Sequence, residues 1–327
     1  MPLPLVIFIL LGLVYNFLNG FHDSSNIVAT IIFSRALSPR MALWLTGAAE
    51  FCGPLVFGVA VAKTIGAGII SPQYVNTTIL IPAILSAILW NLITWYFGIP
   101  CSSSHALIGG LIGAVWIGSG LKNIQPNGLL VTLLALFTSP LIGFAAGYLF
   151  TRLIYFLARN ATLKINWWFK RAQILTGVLL ALSHGANDGQ KIMGVITLGL
   201  VASGSLSSFQ IPQWVILLSA ASIALGTASG GWRLIKTLGG RFYKIRPVNG
   251  FATQVSSAAV ILSAALVGGP VSTTQVVSSA ILGVGSAERI NKVRWGVAEN
   301  IVAAWFLTIP ASAVLAALLY LLISRIL

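Results

Sequence analysis

"PCSSSHALIGGLIG", Pro100–Gly113, and "PVSTTQVVSSAILG", Pro270–Gly283, decide the fold because they are two copies of one motif. They align without gaps: each has a proline, a variable residue, three hydroxyl residues, then His105 or Gln275, and a glycine thirteen residues after the proline. Each hydroxyl run stands at the expected start of a helix, behind its proline. The two copies predict a chain built from two related halves.

The composition is that of a membrane protein. The chain has 327 residues, of which 57% are hydrophobic and 7% charged, and its mean hydropathy is +0.95. Its apolar runs are continuous and long enough for helices, unlike the weak alternation of spanning β-strands. We therefore expect an all-α membrane protein with about 10–12 transmembrane helices in the lipid bilayer. Cys52 and Cys101 have no metal-ligand spacing, and no cofactor is expected.

Positive charge marks one side of the membrane rather than a nucleic-acid surface. The formal net charge is +14, and most of the 19 Lys and Arg residues fall in four short loops between apolar segments. Because such loops face the cytoplasm, the charge reports topology, and nucleic-acid binding is not expected. The four clusters are Arg35 and Arg40; Arg152, Arg159, Lys164, Lys170 and Arg171; Arg233, Lys236, Arg241, Lys244 and Arg246; and Arg289, Lys292 and Arg294.

If these four loops lie on the cytoplasmic side, the direction in which each segment crosses the membrane is determined. Each half of the chain then has five crossings, and the halves start from opposite sides, which describes two inverted-topology repeats. The repeats are expected at residues 1–151 and 172–327, joined by a basic cytoplasmic loop at 152–171. Both termini are expected outside the cytoplasm, in a prokaryotic inner membrane.

A second pair of motifs places acidic residues inside apolar segments. "GFHDSSN", Gly20–Asn26, and "SHGANDGQK", Ser183–Lys191, each carry one aspartate. The surrounding segments, 3–33 and 172–202, are too long for one straight span of about 20 residues and are expected to break at the Gly, Asn and Asp near their middle. The Pro-led segments are expected to be short discontinuous helices or re-entrant hairpins. Such breaks at matching positions point to a binding site at the bilayer midplane.

Ionisable side chains within a span indicate a functional site, because each costs at least about 2.5 kcal/mol to insert. The carboxylates Asp23 and Asp188, with the amides Asn26 and Asn187, offer hard oxygen ligands that suit a small cation such as Na⁺. Glu50 also lies mid-span, where it either joins this cation site or has a structural partner.

The hydroxyl runs suit an anion instead. Hydroxyl groups and backbone N–H donors at a helix N-terminus bind oxyanions, and neither run contains an acidic residue. His105 and Gln275 add a further polar group to each run. The alternative interpretation is that these small residues only pack helices together. The six candidate anion-binding residues are Ser102, Ser103, Ser104, Ser272, Thr273 and Thr274.

Charge balance links the two kinds of site if all four motifs converge. Two ionised aspartates beside a dianionic oxyanion leave excess negative charge, of which Lys191 cancels one unit. Sodium ions, or protons on the anion or on His22, His105 and His184, would supply the rest, because buried like charges are not tolerated unpaired. Anion entry would then require cation entry, which is symport.

Two other functions compete with symport. A serine of the first hydroxyl run with His105 as its base would make an intramembrane hydrolase, but the second copy has Gln275, which cannot act as a base. An enzyme is therefore not expected. A passive anion channel is also built from hydroxyls and helix N-termini, but the duplicated aspartates would repel anions that enter without cations.

Together the four motifs resemble those of the inorganic phosphate transporter family, and the resemblance extends over almost the whole chain. It implies secondary active import of phosphate, driven by sodium ions or protons, and a homodimer. It further implies that Asp23, Asn26, Asn187 and Asp188 serve the coupling cation and help to frame the substrate. The six hydroxyl residues would then hydrogen-bond phosphate.

Two residues depart from the family's sodium-coupled pattern. That pattern has asparagine before the first aspartate and three residues after the second, where this chain has His22 and Lys191. Both changes replace a neutral oxygen ligand by a group that can carry positive charge, which favours protons. A related sulfate permease branch makes sulfate or another oxyanion the alternative substrate. Phosphate is favoured because it can donate a hydrogen bond to an ionised aspartate and sulfate cannot.

Overall fold

The computed structural model describes residues 1–162, 164–240 and 245–325, and Arg241 and Lys244 of the third basic cluster lie outside these ranges. Within them the chain is almost entirely helical, which confirms the all-α prediction. The α-helices in chain order are α1 (Leu3–Phe33), α2 (Pro39–Phe57), α3 (Ala60–Gly68), α4 (Thr77–Phe97), α5 (Ser103–Gly118), α6 (Pro126–Leu157), α7 (Ile165–Ala202), α8 (Gln213–Ser229), α9 (Trp232–Gly240), α10 (Pro247–Leu266), α11 (Thr273–Glu288) and α12 (Trp295–Ile323).

Fewer of these helices can cross a membrane alone than the helix count suggests. In the described ranges α1, α4, α6, α10 and α12 are each long and apolar enough to span, and the pairs α2–α3 and α8–α9 could add two broken spans. Helices α5 and α11 have 16 residues each and are about 24 Å long, which is short of a hydrocarbon core of about 30 Å. The described residues thus contain twelve α-helices, with five to seven candidate spans among them where about 10–12 transmembrane helices were expected.

Two helix pairs bend at a glycine in corresponding positions of the two halves. Helices α2 and α3 are bent by 75°, and α8 and α9 by 69°. Gly58, in the first bend, has φ +80°, and Gly230, in the second, has φ +72°. Residues with a Cβ rarely adopt this backbone conformation. The same break at the same place in each half supports the predicted repeat.

The hydroxyl motifs begin short helices, as their prolines predict. Gly98 and Gly268, with φ +67° and +76°, turn the chain two residues before each proline. Ser102 and Ser272 then have extended backbone and cap α5 and α11. Each serine hydroxyl accepts a hydrogen bond from the backbone N–H three residues later, at 3.2 and 3.4 Å, as N-cap residues do. Discontinuous helices are thus confirmed at these two motifs.

The aspartate motifs do not break their helices, and that prediction was wrong. Helices α1 and α7 are continuous over 31 and 38 residues. The glycines in their middle allow close helix packing instead. A Cβ on Gly20 would lie 2.1 Å from the carbonyl oxygen of Ile223, and a Cβ on Gly185 would lie 2.1 Å from that of Glu50. Tertiary packing outweighs the weak helix propensity of Gly, Asn and Asp.

The two halves pack against each other in a matched way. Helix α1 packs on α8 while α7 packs on α2, and α5 packs on α12 while α11 packs on α6. Because helices of each half pack on helices of the other in this way, the middles of α1 and α7 lie close to the starts of α5 and α11. The opposite orientation of the repeats and their junction at 152–171 stay predictions. Helices α6 and α7 extend into that junction, so that residues 158–164 link them.

The close approach of α1 and α8 gives a stability prediction. A Cβ on Gly226 would lie 2.0 Å from the carbonyl oxygen of Phe17, so Gly226→Ala should force the helices apart and lower the free energy of unfolding by about 1–3 kcal/mol. Gly189→Ala is the matched control, because its Cβ would meet its nearest neighbour, Ile223, at an ordinary 3.6 Å. Thermal unfolding in detergent, followed by circular dichroism, compares the two. Equal melting temperatures would contradict the prediction.

Candidate functional site

The four motifs converge on one buried cluster. Asp23 lies in the middle of α1 and contacts the first residues of both α5 and α11, whereas Asp188, in the middle of α7, contacts the first residue of α11. The two aspartates are 1% and 0% exposed, and Ser103 and Thr273, which start the two short helices, are each 1% exposed. The convergence that the charge argument required is therefore present, and the site is closed to solvent on all sides.

Two helix N-termini face each other at this site. The Ser272 hydroxyl donates to the Ser102 hydroxyl over 2.7 Å, so the caps of α11 and α5 are in direct contact. His105 Nδ1 lies 2.7 Å from the same Ser102 oxygen. The first N–H groups of a helix have no acceptor within the helix, and they carry its positive partial charge. Two such ends pointing at one place offer the donors that an anion requires.

Asp23 accepts hydrogen bonds from the hydroxyl runs. Thr274 Oγ1 donates to Asp23 Oδ1 over 2.9 Å, and Thr273 Oγ1 and Ser103 Oγ lie 3.3 and 3.4 Å from Asp23 Oδ2. His22 Nδ1 lies 3.1 Å from Asp23 Oδ1. The residues predicted for the anion and the residues predicted for the cation therefore share hydrogen bonds.

Asp188 has a different environment, because a lysine neutralises it. Thr273 Oγ1 donates to Asp188 Oδ2 over 2.6 Å, and Lys191 Nζ donates to Asp188 Oδ1. The same Nζ also donates to Ser104 Oγ over 2.5 Å and to the Val271 carbonyl oxygen over 2.6 Å. Lys191 does face inward, as the charge argument required.

His184 lies between the acidic residues. Its Nε2 is 3.3 Å from Asp188 Oδ2 and 3.6 Å from Asp23 Oδ2, while its Nδ1 contacts Glu50. Glu50 thus reaches the two aspartates through an imidazole rather than directly. Ligand atoms of Asp23, His184 and Asp188 all lie within 4.8 Å of one another and could hold a cation; their carboxylate oxygens suit a hard one.

Three further predicted residues differ in whether they are linked to the aspartates. Asn26 belongs to the cluster, since its Nδ2 donates to Thr274 Oγ1 over 3.1 Å. Asn187 instead donates to the Gly269 carbonyl oxygen over 3.0 Å and holds the chain ahead of α11. The Gln275 side-chain oxygen, although buried, has no hydrogen-bond partner among the described residues. Of these three residues, only Asn26 is joined to an aspartate by a shared hydroxyl.

Sequence reasoning missed two residues of the site. Ser103 Oγ donates to Asn19 Oδ1 over 2.6 Å, and the Tyr15 hydroxyl donates to the Ser103 carbonyl oxygen over 2.9 Å. Asn19 precedes Asp23 by four residues, as His184 precedes Asp188, which places each pair on one helix face. Each aspartate is preceded by a polar residue four positions earlier, and this shared spacing would have identified Asn19 from the sequence.

The Thr273 hydroxyl lies between the carboxylates of Asp23 and Asp188, and we predict that its removal slows uptake. Thr273→Val keeps the shape and loses a hydrogen bond to a charged group, which contributes about 1.5–3 kcal/mol. We expect the initial rate of substrate uptake to fall roughly 10- to 100-fold. Thr197→Val is the matched control, because the Thr197 hydroxyl is equally buried in α7 and, among the described residues, bonds only to the Met193 carbonyl. Uptake by Thr273→Val that equals uptake by this control would contradict the role.

Comparison with known proteins places the chain in a family. A family model described as the phosphate transporter family matches residues 19–168 and 158–316. A probable low-affinity inorganic phosphate transporter of Bacillus subtilis (strain 168) is 41% identical over 325 residues, which cover 98% of this chain and 97% of that protein. A protein of Rhizobium meliloti (strain 1021) with the same description is 43% identical over 320 residues, 97% of this chain and 96% of that one.

A solved structure agrees with the sequence comparisons. The structure, described as the sodium-dependent phosphate transporter, superposes with a TM-score of 0.89 at 26% identity and covers 100% of both chains. These proteins are transporters, and the expectation that the chain is not an enzyme is confirmed. The resemblance of the four motifs to the inorganic phosphate transporters is likewise confirmed. The chain belongs to the phosphate transporter family.

Proposed function

We propose that the protein imports inorganic phosphate across the cell membrane by symport with a cation, either sodium or a proton. One observation carries the proposal: hydroxyls at two facing helix N-termini donate to two buried carboxylates. Thr273 Oγ1 lies 2.6 Å from Asp188 Oδ2 and 3.3 Å from Asp23 Oδ2. A hydroxyl has one hydrogen to donate, so an anion and the carboxylates compete for it.

Phosphate is the substrate that this chemistry and the relatives support best. The hydroxyls and helix N-termini provide donors for an oxyanion, and the relatives are described as inorganic phosphate transporters. Protonated phosphate can also donate to Asp23 or Asp188, whereas sulfate has no proton to offer them. A site with both donors and carboxylate acceptors therefore favours phosphate over sulfate.

The charge of the cluster supports a requirement for a cation. Asp23, Glu50 and Asp188 are three buried carboxylates, and among the described residues Lys191 is the one lysine that contacts any of them, at Asp188. Adding an anion without further positive charge would leave like charges buried together, which is strongly unfavourable. A passive anion channel does not need such carboxylates. The similar solved structure is described as sodium-dependent, which supports cation coupling in this chain as well.

The contacts of His184 support a proton as one candidate ion. Its two ring nitrogens contact Glu50 on one side and approach Asp188 and Asp23 on the other. An imidazole between carboxylates can take up a proton at one nitrogen and release one from the other. Positive charge could thus reach the aspartates through Glu50 and His184 without a metal ion. His22, 3.1 Å from Asp23, is a second group that can carry a proton there.

We further propose that the protein works as a homodimer in the cytoplasmic membrane, with its basic loops inside and both termini outside. Large apolar side chains cover the outer faces of α6 and α12, including Leu141, Leu149, Phe306 and Leu318. Such faces suit lipid or a second copy. Cross-linking of single-cysteine variants in intact membranes tests the dimer, and thiol labelling from either side tests the orientation.

Transport by purified protein tests the substrate and the ion. Proteoliposomes receive radiolabelled phosphate under an inward sodium gradient or an inward proton gradient, with unlabelled sulfate or unlabelled phosphate as competitor. We expect one gradient to drive uptake, and only phosphate to compete effectively. Equal competition by sulfate would indicate that the protein transports sulfate, as the related sulfate permeases do. Uptake that neither gradient stimulates would contradict symport.

A further inference from the structure

In the part of the chain that the structure describes, the ammonium group of Lys191 is held by oxygen atoms alone. Its Nζ donates to a carboxylate oxygen of Asp188, to Ser104 Oγ over 2.5 Å and to the Val271 carbonyl oxygen over 2.6 Å. The side chain is 1% exposed. An ammonium has three donors and no acceptor, so three acceptors match the protonated form completely. Lys191 therefore places a full positive charge in the site.

These three oxygens are the kinds of ligand that a hard metal cation takes. Carboxylate, hydroxyl and main-chain carbonyl oxygens bind ions such as sodium, magnesium and calcium in proteins. The Val271 carbonyl comes from the non-helical stretch ahead of α11, and unwound carbonyls at broken helices are typical ligands of coupling ions in transporters. The lysine nitrogen thus lies where these ligands could otherwise hold an inorganic cation.

The matching position in the first half is neutral. Asn26 follows Asp23 by three residues, as Lys191 follows Asp188. Asn26 contacts Thr274, the last hydroxyl of its run, as Lys191 contacts Ser104, the last hydroxyl of the other run. The Asn26 side-chain oxygen has no hydrogen-bond partner among the described residues. One half therefore contains its own cation, and the other half offers oxygen ligands without one.

We propose that Lys191 is a tethered cation that permanently fills the cation position beside Asp188, and that only the position beside Asp23 takes up a mobile cation. This inference rests on the proposed symport and deepens it. Lys191 would be the residue that sets how many cations accompany each phosphate. A chain with asparagine at this position would take up one mobile cation more in each cycle.

Sodium binding to the wild-type protein tests the proposal without any change at Lys191. Equilibrium binding of radioactive sodium to detergent-purified protein should show at most one ion per chain, and any ion that binds to wild type should be lost in Asp23→Asn. A second sodium ion, or one that Asp23→Asn retains, would overturn the proposal. This measurement needs no phosphate transport, so a protein that fails to transport phosphate would refute the proposed function and leave this result readable.

Substitution of the lysine gives the complementary test. Lys191→Asn shortens the side chain and supplies an oxygen ligand without the charge, whereas Lys191→Met removes the charge but keeps the cation position filled by an apolar side chain of similar length. We expect Lys191→Asn to bind one sodium ion more than wild type and to gain phosphate uptake that depends on sodium, whereas Lys191→Met gains neither. Thermal melting with and without sodium checks that each variant is folded. Folded Lys191→Asn protein without additional sodium binding would contradict the tethered cation.

Discussion

Asp23→Asn should abolish concentrative phosphate uptake and leave the protein folded. Asp23 lies against hydroxyls and histidines, and no lysine among the described residues contacts it, so under the proposed symport a mobile cation balances its negative charge. The amide has nearly the same shape and can still accept the hydrogen bond from Thr274. Hydrogen bonds to a charged acceptor contribute up to about 3 kcal/mol each, and the loss of one such contribution corresponds to a roughly 100-fold slower initial rate of uptake. This initial rate is measured as phosphate uptake into proteoliposomes under the driving gradient.

The matched control for this variant is Glu299→Gln. Glu299 is an acidic residue at the start of α12 that is exposed and outside the cluster, so its neutralisation should leave uptake unchanged. Both proteins should melt within a few degrees of wild type. Concentrative uptake by Asp23→Asn at the wild-type rate would remove Asp23 from the coupling mechanism.

Asp188→Asn should cost stability as well as transport, because Lys191 loses its carboxylate. Removing one partner of a buried ion pair leaves an uncompensated charge and destabilises a protein by about 3–5 kcal/mol. We expect a lowered melting temperature together with loss of uptake. The double variant Asp188→Asn with Lys191→Met removes both charges, and it should regain most of the stability without regaining uptake.

Differential scanning fluorimetry and the uptake assay on the same preparations separate these outcomes. Asp188→Asn protein that melts at the wild-type temperature would show that Lys191 does not depend on Asp188. A double variant that transports normally would show that neither charge is needed. Asp23→Asn serves as the comparison, since it removes an aspartate without orphaning a lysine.

The helical class and the starts of the two short helices could be read from the sequence because both depend on local chemistry, whereas the convergence of the four motifs was only a condition of the charge argument. Continuous apolar runs require helices in lipid, since backbone polar groups must be satisfied internally. A proline followed by three hydroxyl residues starts a helix, and Ser102 and Ser272 do cap α5 and α11. Repetition of the motif then indicated that two helix starts would face one site.

Features that depend on contacts between distant segments could not be predicted in the same way. The glycines at 20 and 185 looked like helix breakers, but they allow α8 and α2 to pack closely on continuous helices. Glu50 and His184 are 134 residues apart in sequence, and nothing in their local pattern indicates that they touch. The third oxygen around Lys191 is a main-chain carbonyl, which carries no residue-type signal at all.

Coupled accumulation of phosphate is the central claim, and one measurement tests it most directly. Proteoliposomes that contain the purified protein are given a constant external phosphate concentration under inward sodium and proton gradients, and the internal concentration is followed until it is steady. The gradients are then collapsed with ionophores. We predict that internal phosphate rises above the external concentration and falls back to it after collapse. Simple equilibration to the external concentration, with or without the gradients, would contradict cation symport.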